Sequence, residues 1–295
     1  MTTDLRPPDS TMLTATLPRR GSFKGLSPHG FHDVVYHEWG DPAARNVVVC
    51  VHGLTRNGRD FDVLGEALAP THRVFAVDMP GRGESAWLAD PADYVFPTYL
   101  ATLTALLART GAERVGWVGT SLGGLLGMVM AAQPNSPIAR LVVNDVGPAI
   151  EPAALARIGG YVGADPQFAT FAEIDAYVRA ISPFGPLTAA QWEHLTRSCV
   201  RQRADGRWGF AYDPGIAVPF RASAAPPDLW GLWDAIACPT LLLRGADSDL
   251  FTAATARQMT ARGPRPRLLE FAGVGHAPAL LAADQVAPVA EFLRG

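Results

Sequence analysis

A serine hydroxyl is a weak nucleophile at neutral pH. To attack a carbonyl it needs a base beside it and hydrogen-bond donors facing the oxyanion that forms. Gly119-Thr120-Ser121-Leu122-Gly123 places a serine in a setting for that chemistry, because an apolar run, Val115 to Val118, precedes it and a run of helical character, Leu122 to Gln133, follows. A strand turning sharply into a helix strains the serine backbone and projects its hydroxyl above the sheet, while glycines two residues to either side let strand and helix approach without Cβ clashes. The pentapeptide alone is weak evidence in a chain with 29 glycines among 295 residues, so its meaning depends on partners elsewhere. His276, in Gly273-Val274-Gly275-His276-Ala277-Pro278, lies in a loop between the last predicted strand and the last predicted helix. Loops at strand carboxyl ends gather on one edge of a parallel sheet, so His276 can meet Ser121 and is the candidate general base.

Two further requirements follow. The first is a pair of donors for the oxyanion. Val49-Cys50-Val51-His52-Gly53-Leu54-Thr55 ends the first long predicted strand at the same edge, so the backbone N–H groups of Leu54 and Leu122 are the candidates. His52 is open to a second catalytic reading, but one general base suffices and a histidine before such a turn more often supports the loop by hydrogen bonds. The second requirement is a carboxylate on the other ring nitrogen of His276, and Asp145, Asp247 and Asp249 all stand just past predicted strands. Arg56-Asn57-Gly58-Arg59, beyond the oxyanion turn, reads as a solvated loop in preference to an anion contact.

These residues need a sheet to carry them. Short continuous apolar runs at Val47 to Val51, Val74 to Val77, Val115 to Val118, Leu141 to Val143, Leu241 to Leu243 and Leu268 to Phe271 have the pattern of strands buried on both faces. Helical segments at Phe61 to Leu68, Tyr99 to Arg109, Leu122 to Gln133, Ala253 to Arg262 and Gln285 to Arg294 separate most of them, which predicts a mostly parallel α/β sheet with helices on both faces. Phe31 to Trp39 roughly alternates and reads as a partly exposed early strand paired antiparallel with the Phe23 region. The alternation breaks between Val143 and Leu241, an interval too long for one crossover. Phe171, Ile174, Val178 and Ile181, then Leu187, Trp192, Leu195 and Cys199, recur at helical spacing there and predict a small helical cap, with Pro226-Pro227 marking the return to the sheet. The expected organisation is a loose leader at 1–20, one core built from 21–147 and 234–295, and a cap at 148–233.

His52-Gly53-Leu54, the turn Asp78-Met79-Pro80-Gly81-Arg82-Gly83-Glu84-Ser85, the elbow and the Gly275-His276 loop occur in that order. Together they resemble the α/β-hydrolase superfamily, in its cap-bearing group of small serine esterases. The resemblance implies an eight-stranded, mostly parallel sheet, the chain order nucleophile, acid, histidine, and a turn-shaping role for Asp78. Most of the family carries its acid after the penultimate strand, where Asp249 stands, although the usual register falls on Ser248. Some similar esterases place it at the end of the strand after the nucleophile helix, where Asp145 stands. Asp249, Asp145 and Asp247 therefore all stay open. A serine at 121 argues against the family's dehalogenases and epoxide hydrolases, whose nucleophile is an aspartate. The activity implied is hydrolysis of carboxylic esters with apolar acyl or aromatic groups through an acyl-enzyme. Carbon–carbon bond hydrolases, lactonases and thioesterases share the machinery, and a ligand-binding receptor that keeps the pocket is the alternative from another class. Phe168, Phe171, Tyr177, Phe184, Trp192, Trp208, Phe210 and Tyr212 are the cap aromatics available as pocket walls.

Composition narrows the partners. With 25 basic and 28 acidic residues and a net charge of −3, no nucleic-acid or anionic-membrane partner is expected, and the partner is a small-molecule ester. No H-x-x-x-H, paired-cysteine motif or phosphate-binding glycine loop occurs, so neither metal nor cofactor is expected. Cys50, Cys199 and Cys238 are odd in number and read as reduced, buried thiols, which suits the cytoplasm, as does the lack of a signal peptide or membrane-length apolar stretch.

Overall fold

The computed structural model describes residues 17–222 and 228–295. Residues 1–16 of the expected leader and the Pro226-Pro227 return lie outside the described residues, and Arg19 and Arg20 already belong to the first strand. That strand, β1 (Arg19–Ser27), pairs antiparallel with β2 (Gly30–Trp39), placing Phe23 opposite Val34. β2 is less exposed than its alternation suggests, since every residue from Val34 to Trp39 is buried. Then follow β3 (Val47–Val51), α1 (Asp62–Leu68), β4 (Arg73–Val77), α2 (Phe96–Thr110), β5 (Val115–Thr120), α3 (Leu122–Ala131) and β6 (Ile138–Asn144). After the insertion come β9 (Thr240–Gly245), α9 (Ala253–Ala261), β10 (Arg267–Phe271) and α10 (Ala283–Arg294).

The eight strands lie in the order β1-β2-β4-β3-β5-β6-β9-β10, parallel except for the β1–β2 and β2–β4 pairings. Both faces are covered, which explains why the central strands are apolar without alternation. Val47, Val49 and Val51 of β3 pack towards α2 and α3, while Val48 and Cys50 pack with Leu64 and Leu68 of α1 and with Val289 and Leu293 of α10. α3 is buried from Leu122 through Met128, so it shows no polar face and reads as apolar all round. Its contact with the sheet is fixed by Trp117, whose indole is wholly buried and whose Nε1–H donates to the Gly123 carbonyl at 3.1 Å.

The insertion between β6 and β9 holds α4 (Pro152–Tyr161), α5 (Phe171–Ile181), α6 (Ala189–Cys199), the hairpin β7 (Val200–Gln202) and β8 (Trp208–Phe210), α7 (Ala217–Ala222) and α8 (Trp230–Ala235). α5 spans its four predicted positions, and α6 holds Trp192, Leu195 and Cys199 while Leu187 precedes its N-cap. Thr170 caps the first, and Thr188 with Gln191 forms a capping box on the second. α4 and the hairpin escape a periodicity search because one carries Gly159-Gly160 at its end and the strands of the other are three residues each. Among the described residues, no helix is long and apolar enough to cross a membrane.

Trp117→Phe keeps the ring's apolar bulk in part but removes the donor to Gly123 at the start of α3. A loss of about 2 kcal/mol is expected, from the buried hydrogen bond lost and the volume removed. It would be read as a lower urea midpoint with an unchanged m value, and a midpoint equal to wild type would show that this hydrogen bond does not tie α3 to the sheet.

Candidate active site

β5 ends at Thr120 and α3 begins at Leu122, leaving Ser121 alone at the junction with φ 52° and ψ −114°. A non-glycine residue in this region is strained by about 1–3 kcal/mol, so its surroundings must hold it there. The Ser121 N–H donates to the Asn144 carbonyl at 2.9 Å, and the Ser121 carbonyl accepts from Gly124 and Leu125 at 2.8 and 3.0 Å. The two flanking glycines are required by close approach. A Cβ on Gly119 would stand 2.1 Å from the Gly123 carbonyl oxygen, and one on Gly123 would stand 2.0 Å from that of Val51.

The His276 Nε2 lies 3.0 Å from the Ser121 Oγ, and its Nδ1 lies 2.7 Å from the Asp145 Oδ2. A carboxylate only accepts, so the proton belongs on Nδ1 and Nε2 is left to accept from the serine hydroxyl. Asp145, in the left-handed region at φ 57° and with no exposure to solvent, is the carboxylate brought to the imidazole. Its Oδ1 accepts from the Gly245 N–H at 2.9 Å and its Oδ2 also accepts from the Ser248 Oγ at 2.7 Å. Asp249 is brought elsewhere: it is half exposed and forms a two-point ion pair with Arg157 of α4 at 2.6 and 2.8 Å. That hydrogen bond, beyond any effect of burial, holds the Asp249 carboxyl below its ordinary range. Asp247 is exposed, and its backbone N–H donates to Val274. Asn144, which spacing did not single out, lies beside Asp145. Its Nδ2 donates to the Thr120 hydroxyl at 3.0 Å and to the Pro278 carbonyl at 2.9 Å, which ties the elbow strand to the His276 loop.

Leu54 and Leu122 flank Ser121, and a Cβ built on Gly53 would lie 3.6 Å from that of Ser121. The Leu122 N–H opens α3 and so has no partner within the helix. The Leu54 N–H is aimed by its own peptide unit. The Met79 N–H donates to His52 Nε2 at 3.0 Å, so His52 carries its proton on Nδ1 and donates it to the Gly53 carbonyl at 2.7 Å. In a planar trans peptide the next N–H points the opposite way, hence away from His52. His52 is wholly buried, and burial pushes its pKa down to about 4, so it is a neutral clamp on the turn. Arg82, also wholly buried, donates to the Leu54 carbonyl at 2.8 Å and to the Pro80 carbonyl and Tyr99 hydroxyl at 2.6 and 2.9 Å. Asp78 accepts from the Gly58 and Glu84 N–H groups at 2.7 and 2.8 Å, in keeping with a turn-shaping role. Burial alone would raise its carboxyl, but the contact with His37 and these N–H donors outweigh burial and hold it low. Arg56 and Arg59 are not a solvated loop. Arg56 is largely buried, paired with Asp60, and stacked over the Phe184 ring, and Arg59 pairs with Asp62. Both charges are internally neutralised, because α6 closes over this turn and the Arg56 guanidinium also reaches the Leu195 carbonyl.

Two spaces open on Ser121. The larger, about 620 Å³, runs under the insertion between Leu54, Leu122, Leu125, Tyr99, Ile150, Leu155, Ile158 and Phe220, with Arg221 the charged residue on its lining. The smaller, about 120 Å³, is bounded by Gly53, Arg56, Phe184, Phe210 and His276. Of the cap aromatics named from sequence, Phe184 and Phe210 reach the smaller space. Phe168, Phe171, Trp192 and Trp208 pack on Ile174, Val178 and Cys199 as the insertion's own core. Among the described residues, no group of three or more histidine, cysteine or carboxylate side chains converges as a metal site. Cys50, Cys199 and Cys238 are unpaired, with Cys50 and Cys199 buried and Cys238 partly so, and burial raises all three thiols.

A family model described as the alpha/beta hydrolase fold matches residues 46–283. The chain is 46% identical to a 3-hydroxybutyrate-oligomer hydrolase from Cupriavidus necator, over 94% of this chain and 98% of that protein. It is 31% identical to the esterase Rv0045c of Mycobacterium tuberculosis, over 87% and 84%. An alpha/beta hydrolase from Novosphingobium aromaticivorans superposes with a TM-score of 0.83 at 38% identity, covering 94% of this chain and 99% of that one.

The neutral clamp generates a pH prediction. His52 stays unprotonated in the native state down to about pH 4, whereas in the unfolded chain it titrates near its ordinary 6.5. The unfolded state therefore gains a proton first, and stability that is fully present above pH 6.5 is lost as pH falls towards 4, by roughly 3 kcal/mol from this group. Urea midpoints of wild type against His52→Gln should show a steeper decline for wild type between pH 7 and 4.5. Parallel declines would refute the burial argument.

Proposed function

Since the chain belongs to the α/β-hydrolase fold family and is a hydrolase as its relatives are, we propose that it cleaves carboxylic esters through an acyl-enzyme on Ser121. The observation that carries this reading is the hydrogen-bonded series Ser121–His276–Asp145, at 3.0 and 2.7 Å, opening onto an apolar cavity. Ser121 Oγ attacks the ester carbonyl as His276 Nε2 takes its proton, and Asp145 steadies the imidazolium that results. The Leu54 and Leu122 N–H groups bind the oxyanion, each contributing about 3 kcal/mol to the transition state. His276 then returns the proton to the departing alkoxide. Water, activated by the same nitrogen, attacks the acyl carbon and releases the acid and free Ser121.

The larger cavity suits the acyl part, since apolar side chains form most of its wall. Short oligoesters of 3-hydroxybutyrate are the substrates we favour, on the strength of near full-length similarity to a hydrolase of that name. Such an oligomer offers methyl branches to the apolar wall.

Trimers of 3-hydroxybutyrate and a p-nitrophenyl ester series from acetyl to dodecanoyl should be turned over many times per enzyme molecule, with the medium chains and the trimer fastest. Ser121→Ala should lose at least about 10⁴-fold in kcat. A single stoichiometric event without turnover would favour a receptor. In the same assay, Asp145→Asn is expected to lower kcat by about 10³–10⁴-fold and Asp249→Asn by no more than a few-fold, because an exposed ion pair contributes little. The reverse ranking would move the acid to the loop after β9.

A further inference from the structure

The turn after β9 does not lend His276 a carboxylate, but it does grip the one that serves it. Gly245 donates its N–H to Asp145 Oδ1, and Ser248, three residues on, donates its hydroxyl to Oδ2 at 2.7 Å. The Ser248 N–H donates back to the Gly245 carbonyl at 3.0 Å, so both donors are held by one turn. The direction of the serine hydrogen bond follows from its other contact. The Phe251 N–H donates to Ser248 Oγ at 3.2 Å and occupies a lone pair, and the carboxylate cannot donate, so the Ser248 proton points at Asp145. Ser248 is buried, Asp145 has no exposure, and the oxygen Ser248 contacts is the one that accepts from His276 Nδ1 at 2.7 Å.

A carboxylate accepting from only Gly245 and His276 could rotate about its Cβ–Cγ bond and tilt the imidazole. A third donor on the shared oxygen fixes its plane. We propose that Ser248 is a positioning residue for the reaction: through its hydroxyl it orients the Asp145 carboxylate, and through that the Nε2 of His276 relative to Ser121. The inference rests on the proposed roles of Ser121, His276 and Asp145, and it adds a residue from a fourth segment of the chain that never touches substrate.

The test is a double-mutant cycle on ester hydrolysis, with thermal melts to establish that each variant is folded. Ser248→Ala should lower kcat roughly tenfold or more with KM within about twofold of wild type, and Ser248→Thr, which keeps a hydroxyl at the same position, should recover most of that loss. In the Asp145→Asn background, Ser248→Ala should cost no further activity, because the group it acts through is already gone. An unchanged kcat in Ser248→Ala, a loss that Ser248→Thr does not relieve, or a full additional loss in the double variant would each overturn the proposal. Failure of the underlying reading is separately visible: Asp145→Asn alone would then retain wild-type kcat, and no role for Ser248 through that carboxylate would survive.

Discussion

A carboxylate with no access to water is tolerable only if enough donors replace its hydration, and that constraint organises the carboxyl edge of this sheet. Asp145 follows β6 directly, and its donors come from the turn after β9 and from the loop after β10. Three strand ends must therefore stay in register for one charge to be satisfied. The parallel pairings of β6 with β9 and of β9 with β10 set that register. The His276 loop is anchored again from the other side by Asn144, the residue next to Asp145, through the Pro278 carbonyl. The polar network is thus tied to the apolar sheet beneath it, which favours a single arrangement of the serine and imidazole.

The turn proposed to bind the oxyanion follows a different logic. Its donors are main-chain groups, so they can be aimed only by fixing peptide planes. His52 pulls the Gly53 carbonyl to one side and Arg82 holds the Leu54 carbonyl, and both side chains are buried where their geometry cannot fluctuate with solvent. At the elbow the same end is reached by close approach, with backbone standing where any Cβ would be. Preorganised dipoles of this kind need no rearrangement as charge develops, and this is where much of a hydrolase's rate arises.

The insertion meets the core through contrasting contacts. Arg56, Asp60 and Phe184 form a buried junction beside Ser121, while Arg157 and Asp249 form an exposed one. Asp249 illustrates how a well-placed acidic residue can take a structural partner. Its position past β9 suits the histidine by chain order, yet it is held in a two-point ion pair by Arg157 on α4, and the turn places Ser248 inward instead. Phe168, Phe171, Trp192 and Trp208 likewise take a structural role, in a small core of the insertion's own beside its packing on the sheet through Ala154, Ile158, Val162 and Ile216.

The alternation of apolar runs and helical segments, the Gly119 to Gly123 elbow and the Gly275-His276 loop were legible in the residues alone, since local periodicity and glycine placement are properties of adjacent positions. α4, the β7–β8 hairpin, Asn144 and the burial of Arg82 carried no such signal, because short elements and single polar side chains have no period to read. Choosing among Asp145, Asp247 and Asp249 required the third dimension. All three lie past strand ends on the same edge, and only the backbone direction at each one decides which carboxylate faces the imidazole: the left-handed conformation at Asp145 turns it inward, while the turn after β9 leaves Asp247 and Asp249 outside.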